Sequence, residues 1–122
     1  MMPLYGVQPQ FVPMILDGSK PHTIRRRRVK RPTKVGDMLY LYQGLRTKKC
    51  KFVMKDTCKK ILPVVIYPDL GQVRLDGRLL PWNEMMHFAV RDGFANYMDF
   101  FAFFRQCPAQ VCEHELEVIY WR

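Results

Sequence analysis

Apolar positions along the chain fall into short alternating or helically spaced groups, with no long apolar block. Leu4 to Val7 reads as a short strand. After Gln8-Pro9, Phe11, Met14 and Ile15 share one face by i, i+3, i+4 spacing, which predicts a helix. Pro13 keeps its first turns short, and Gly18 ends it because a residue without Cβ takes the left-handed C-terminal conformation at little cost. Thr23 to Arg28 is expected to be extended, with Ile24 turned inward. Val35-Gly36-Asp37 forms a turn into a strand at Met38 to Tyr42, where Leu39 and Leu41 alternate with Met38, Tyr40 and Tyr42. Gly44 to Lys48 is a basic loop, followed by one long strand from about Cys50 to Ile61.

Pro63, Pro68 and Gly71 punctuate the middle of the chain, with a strand at Val64 to Tyr67 between them. Val73 to Asp76, Gly77 and Arg78 to Leu80 have the form of a hairpin with an Asp-Gly turn. Two helices follow, Glu84 to Arg91 with Asn83 as its cap and Tyr97 to Arg105 with Asn96 as its cap. In the second, Met98, Phe101, Ala102 and Arg105 follow helical spacing, and Phe100, Phe103 and Phe104 widen the apolar stripe. Glu113 to Trp121 alternates well enough, through Leu116, Val118 and Tyr120, to be a closing strand. Strands outnumber helices and the helices are separated in sequence. That order predicts an α+β fold with a curled, mostly antiparallel sheet and flanking helices.

Length sharpens this to a single domain over residues 1–122, since the chain is too short for two full cores. Apolar residues make up 48% of it, enough for a packed interior. No apolar run approaches the ~20 residues of a spanning helix, and Met1 to Val7 has neither early positive charge nor a long apolar segment. A cytoplasmic protein without a membrane segment is expected. Its cysteines at 50, 58, 107 and 112 should then be reduced. Cys107, Cys112 and His114 fall short of the four closely spaced ligands of structural zinc, so neither a metal nor a cofactor is expected. The sequence carries no signal of oligomeric state.

Charge changes the picture more. Residues 1–60 hold 15 Lys/Arg against 3 acids, whereas residues 61–122 hold 5 against 8. A surface so lopsided attracts polyanions through counterion release, and here the basic run is interleaved with a turn and with ordered apolar positions. An acidic protein partner would be drawn by the same charge.

The segment Gly18-Ser19-Lys20-Pro21-His22-Thr23-Ile24-Arg25, with Val35-Gly36-Asp37 and the strand after it, resembles the opening signature of ASCH domains, G-x-K-x-x-T-x-R followed by G-D and a strand. Tyr42 to Cys50 and Asp92-Gly93-Phe94 are similar to features of the compact ASCH proteins of bacteria and their phages. The resemblance runs from about Phe11 to Trp121. It implies a PUA-like curled antiparallel β-barrel with a cleft beside the first helix, an association with RNA, and a bacterial or phage-infected cytoplasm. Some small bacterial members are amidohydrolases that remove the acetyl group from N4-acetylcytidine, with chemistry assigned to the Lys and Thr of the signature and to a Glu on a later helix. Lys20 and Thr23 match the first two. The third falls near Asp92, so this chain carries Asp where those enzymes carry Glu, and Asp92→Glu would restore the longer reach. Glu84, one helix earlier, is an alternative carboxylate if its helix folds back toward the cleft.

The chemistry of the site that the resemblance implies can be stated in general terms. A hydroxyl needs a neighbouring base to act as a nucleophile, and a Lys that is desolvated or surrounded by cations titrates low enough to serve. Thr23 and Lys20 are therefore the candidate nucleophile and base, with Asp92 to orient Lys20 or move a proton. Neither Lys20 nor Thr23 is expected in the core. Arg25 or Arg46 would hold an oxyanion or phosphate; Arg26, Arg28 and Lys48 extend the basic face, and Tyr40 and Tyr42 point the same way from a strand and could stack a base. His22 is as readily an exposed residue as a functional one. The expected ligand is RNA or a modified nucleoside. Hydrolysis of an acylated cytidine, non-catalytic RNA binding and RNA cleavage all remain open to these residues.

Overall fold

A computed structural model describes residues 3–106 and 116–122. Its secondary structure is mixed α+β, as the element order predicts. Strands β1 (Leu4–Val7), β2 (His22–Arg26), β3 (Met38–Gln43), β4 (Lys51–Thr57), β5 (Lys60–Tyr67), β6 (Gln72–Leu75), β7 (Arg78–Leu79) and β8 (Leu116–Tyr120) combine with helices α1 (Val12–Asp17), α2 (Trp82–Arg91) and α3 (Tyr97–Phe104). A 3-10 turn, Pro9–Phe11, leads into α1.

The strands pair as two sheets, β1-β3-β4 and β2-β8-β5-β6-β7. Among the described residues only β1 and β3 run parallel; the other pairs are antiparallel. The expected barrel is not closed: among the described residues no ladder joins the two sheets. What joins them is the chain itself, at a point where one long strand was expected. The Cys58 N–H donates to Asp37 O and its carbonyl accepts from Gly36, both beside the first sheet, whereas the next N–H, of Lys59, donates to Tyr120 O in the second. Successive peptide groups serve different sheets, so β4 ends at Thr57 and β5 begins at Lys60. Strand β5 then runs through Pro63 instead of starting after it. Lys60 to Pro63 pairs with β8, and Val64 to Tyr67 with β6. Proline lacks an N–H, and it stands where the strand changes partner.

Strand β8 is central to the packing. Val118 and Leu116 join Val64, Ile66 and Val73 beneath Met85, Phe88 and Phe100. Ile119 and Trp121 instead join Tyr5, Phe11, Ile15, Leu39 and Leu41. Alternate residues of a strand face opposite sides, so this one segment belongs to two apolar clusters. Phe94 packs against both.

Helix details partly follow expectation. Gly18 caps α1 at φ 88°, and Asn96 accepts from the Asp99 N–H at 2.9 Å to start α3. Helix α2 starts at Trp82 after Pro81, without the expected side-chain cap from Asn83. The buried face of α3 is Phe100, Phe101 and Phe104, while Met98 and Ala102 point outward. Burying three phenylalanines outweighs burying the smaller pair. At the β6–β7 turn Asp76 and Gly77 both have positive φ, as a type I′ hairpin requires. Among the described residues no helix is long and apolar enough to cross a membrane, and no group of metal-ligating side chains occurs. Cys107, Cys112, His114 and the start of the expected closing strand lie outside the described residues.

Candidate functional site

Three local devices bring Lys20 inward. Gly18 ends α1, the Ser19 N–H donates to Asp17 Oδ1 at 2.8 Å, and the Lys20 N–H donates back to Met14 O at 3.0 Å. The side chain then passes over the Phe11 ring, with Nζ 4.8 Å from its centroid. It ends against Asp92, donating to Oδ1 at 2.9 Å and also to the Asp92 carbonyl.

Asp92 reaches this point from the C-terminus of α2. Met85, Phe88 and Ala89 form the buried face of that helix; Asp92, one further step along the i, i+3, i+4, i+7 progression, falls on the same face. Gly93 follows at φ 104°, and a Cβ there would lie 2.6 Å from the Phe11 ring and 3.3 Å from Lys20 Cδ. The close passage of backbone, ring and lysine stem therefore depends on glycine. It also lets an aspartate, one bond shorter than glutamate, touch Lys20 directly.

Thr23 and Arg25 arrive from β2. Arg25 Nε donates to Thr23 Oγ1 at 3.1 Å, and its Nη2 donates to Gly6 O on β1. Lys20, Thr23, Arg25, Arg26 and Asp92 all line one cavity of about 250 Å³, with Phe11 and Phe94 among its apolar walls. Lys20 is 3% exposed, Thr23 5% and Asp92 4%. The expectation that Lys20 and Thr23 stay out of the core is therefore corrected: Lys20 is buried against Phe11, Asp92 and Gly93, and Thr23 is buried in the ladder with β8. Burial pushes the Lys20 ammonium below the usual lysine range, and the Arg25 guanidinium adds to that, while Asp92 opposes it. Burial dominates because desolvation disfavours the charged form.

His22 was open to either reading, and the fold decides it. It is 1% exposed, stacked on Phe88 and tilted against Tyr120. Nε2 lies 3.4 Å from Asp92 Oδ1, yet neither ring nitrogen makes a hydrogen bond. Burial pushes its pKa down, partly offset by Asp92. The strand parity that pairs His22 with inward-facing Ile24 is the sequence signal for this burial.

The remaining candidates lie elsewhere. Arg28 donates to Leu4 O and sits 4.4 Å over the Tyr5 ring, which ties β1 to the basic segment. Tyr40 and Tyr42 are half-buried on β3, with Tyr42 packed edge-on against Phe52. Arg46 and Lys48 are exposed in the loop before β4. None of these lines the Lys20 cavity, although Leu45 of that loop packs against Gly6, which does. Glu84 pairs with Arg78 at the other end of α2 and does not compensate for Asp92. Phe11, Gly93 and Phe94 are not among the candidate site residues that the sequence offers. Phe11 reads as a position on the apolar face of the first helix and Gly93-Phe94 only as part of the Asp92-Gly93-Phe94 resemblance, and nothing local marks the two phenylalanines as walls.

No family model, curated protein or solved structure matches the chain.

Proposed function

We propose that this is an ASCH-type, PUA-like domain whose Lys20 cavity receives a pyrimidine nucleoside, free or within RNA, and hydrolyses an N4-acyl amide on it. The observation that carries the proposal is the convergence of Lys20, Thr23, Arg25 and Asp92 on one partly enclosed cavity. Lys20, Thr23 and Arg25 come from the segment that resembles the ASCH signature and Asp92 from the later Asp92-Gly93-Phe94; together they supply a nucleophile, a base, a cation and an orienting carboxylate.

In this reaction Lys20, whose ammonium burial disfavours, first gives a proton to solvent; the Thr23 hydroxyl then adds to the acyl carbonyl and its proton passes to Lys20 Nζ. The oxyanion faces Arg25, which keeps N–H groups beyond the two bonded to Thr23 and Gly6. Collapse expels the cytidine amine, which takes the proton from Lys20. Water then adds to the acyl-Thr23 ester, again giving a proton to Lys20, and collapse breaks the ester bond, with Thr23 Oγ1 taking that proton back as the carboxylic acid leaves. Asp92 holds the amine in place throughout.

One observation favours a second reading, a binding module without catalysis. The Lys20 ammonium already spends two of its three protons on Asp92 and is buried with it, as a structural ion pair would be. The test is incubation with N4-acetylcytidine and, separately, with RNA. Acetate and cytidine in equal amounts are expected. A protein inert toward acylated nucleosides that still binds RNA would be a binding module, and one that does neither sinks both readings.

A further inference from the structure

A second cavity, of about 420 Å³, shares no lining residue with the first. The two are linked through His22, which lines the second, and Asp92, which lines the first, 3.4 Å apart. The second cavity is built between β2, β8, the β6–β7 hairpin and α2. Its apolar surface comes from Leu75, Leu80 and Phe88, and its polar groups are His22, His87, Arg91, Tyr120, Arg78 and Glu84.

The hydrogen-bonding state of those groups is the informative part. Arg78 and Glu84 satisfy each other. Arg91 and His87 are exposed, and among the described residues Arg91 makes neither a hydrogen bond nor an ion pair while His87 and the half-buried Tyr120 hydroxyl make no hydrogen bond, so solvent serves all three. His22 is buried with neither ring nitrogen in a hydrogen bond; Nε2 faces Asp92 Oδ1 at 3.4 Å, and Nδ1 has no partner. A buried polar group without a partner costs stability, and such groups in native proteins call for an explanation, an absent ligand or ion being one. With Arg78 and Glu84 cancelling, Arg91 leaves the lining with net positive charge. Burial holds the imidazole of His22 neutral at pH 7, with Lys20 and Arg91 acting in the same direction and only Asp92 opposing, so the ring carries one donor and one acceptor.

We infer that this cavity is a second ligand site for a phosphate monoester with a flat, largely apolar body, a mononucleotide in size and chemistry. Arg91 would take the phosphate at the rim, as a guanidinium fork suits two phosphate oxygens. His22 and Tyr120 would meet polar edges of the body, and Leu75, Leu80 and Phe88 its face. The volume falls within the range of small-molecule sites and exceeds what a bare phosphate needs. This site goes beyond the amide-hydrolysis reading and does not depend on it.

The test is an NMR titration of the full chain with cytidine 5′-monophosphate, inorganic phosphate and N4-acetylcytidine as separate probes. The monophosphate is expected to move the His22 ring and Arg91 side-chain signals saturably, with inorganic phosphate binding more weakly. Arg91→Ala removes an exposed side chain and should leave the fold intact. It should weaken the monophosphate about tenfold, the loss expected for one charged hydrogen-bonding partner. Movement confined to Thr23 and Arg25 would overturn the second site while leaving the Lys20 cavity as a ligand pocket. Equal affinity for inorganic phosphate would reduce the site to a simple anion contact and overturn the nucleotide-sized ligand. No movement with any phosphate overturns the site, and the N4-acetylcytidine titration judges the first cavity separately.

Discussion

Lys20 and Asp92, 72 positions apart in sequence, meet at 2.9 Å with side chains only 4% and 5% exposed. Two glycines make the meeting possible. Gly18 turns the chain out of α1 just before Lys20, and Gly93 lets the end of α2 pass against Phe11. The pair is at once an element of the fold and the centre of the candidate site.

Breaking the pair should therefore cost stability as well as function. Lys20→Met leaves an unpaired buried carboxylate, and a loss of about 3–5 kcal/mol in urea unfolding is expected. Lys20→Met with Asp92→Leu should recover most of it. Asp92→Glu, which sequence alone favours as restoring reach, should lower both melting temperature and turnover, because Asp92 already touches Lys20 and an added methylene must displace something. A Lys20→Met variant as stable as the parent would show that the pair bears no load.

Stability should also depend on pH through His22. Its folded pKa lies below the ordinary value of 6.5 because burial disfavours the imidazolium. Between the two values the unfolded chain binds more protons, so stability rises with pH there. The contribution is complete above about 6.5 and is lost as pH falls through the folded value. Burial raises the pKa of Glu117, which acts with the opposite sign above about 4.5. Comparison with His22→Phe, which keeps a ring against Phe88, isolates the histidine. That variant should show a flatter stability profile between pH 7.5 and 5.5, and parallel profiles would refute the assignment.

The packing of α3 gives a third test. Phe101 is 3% exposed and Met98 61% exposed on the same helix. Phe101→Ala should cost about 3–5 kcal/mol, whereas Met98→Ala should stay within about 0.5 kcal/mol of the parent. Similar melting temperatures for the two variants would mean that the helix is rotated from the described register.

RNA binding, if it uses the basic half of the chain, should weaken steeply with salt as neutralised phosphates release counterions. Lys30 and Lys34 are exposed, and charge reversal at both should reduce affinity more than reversal of Arg74 and Arg105, which lie in the acidic half. Arg28 is unsuited to this test because it holds Leu4 and covers Tyr5. An affinity indifferent to salt would remove the electrostatic basis for RNA as a partner.

The sequence by itself determined the local elements. Strand β1, the Gly18 stop, β3, the Asp-Gly hairpin and the Asn96 cap follow from side-chain periodicity and turn chemistry within a few residues, so they are legible without a fold. It also held Lys20, Thr23, Arg25 and Asp92 as candidates, through the resemblance to the ASCH signature and the chemistry their residue types allow. Only the tertiary structure decided what depends on distant partners. The break at Cys58-Lys59 arises because adjacent peptide groups bond to different sheets. Which side of α3 is buried was settled by what packs beneath it. The burial of His22 depends on Phe88 and Tyr120, and the separation of Tyr40, Tyr42, Arg46 and Lys48 from the cavity depends on where the first sheet lies. Periodicity encodes which residues turn inward together, but it does not say what they will face. That is set by pairings between segments as far apart as Lys20 and Asp92, whose encounter no local pattern records.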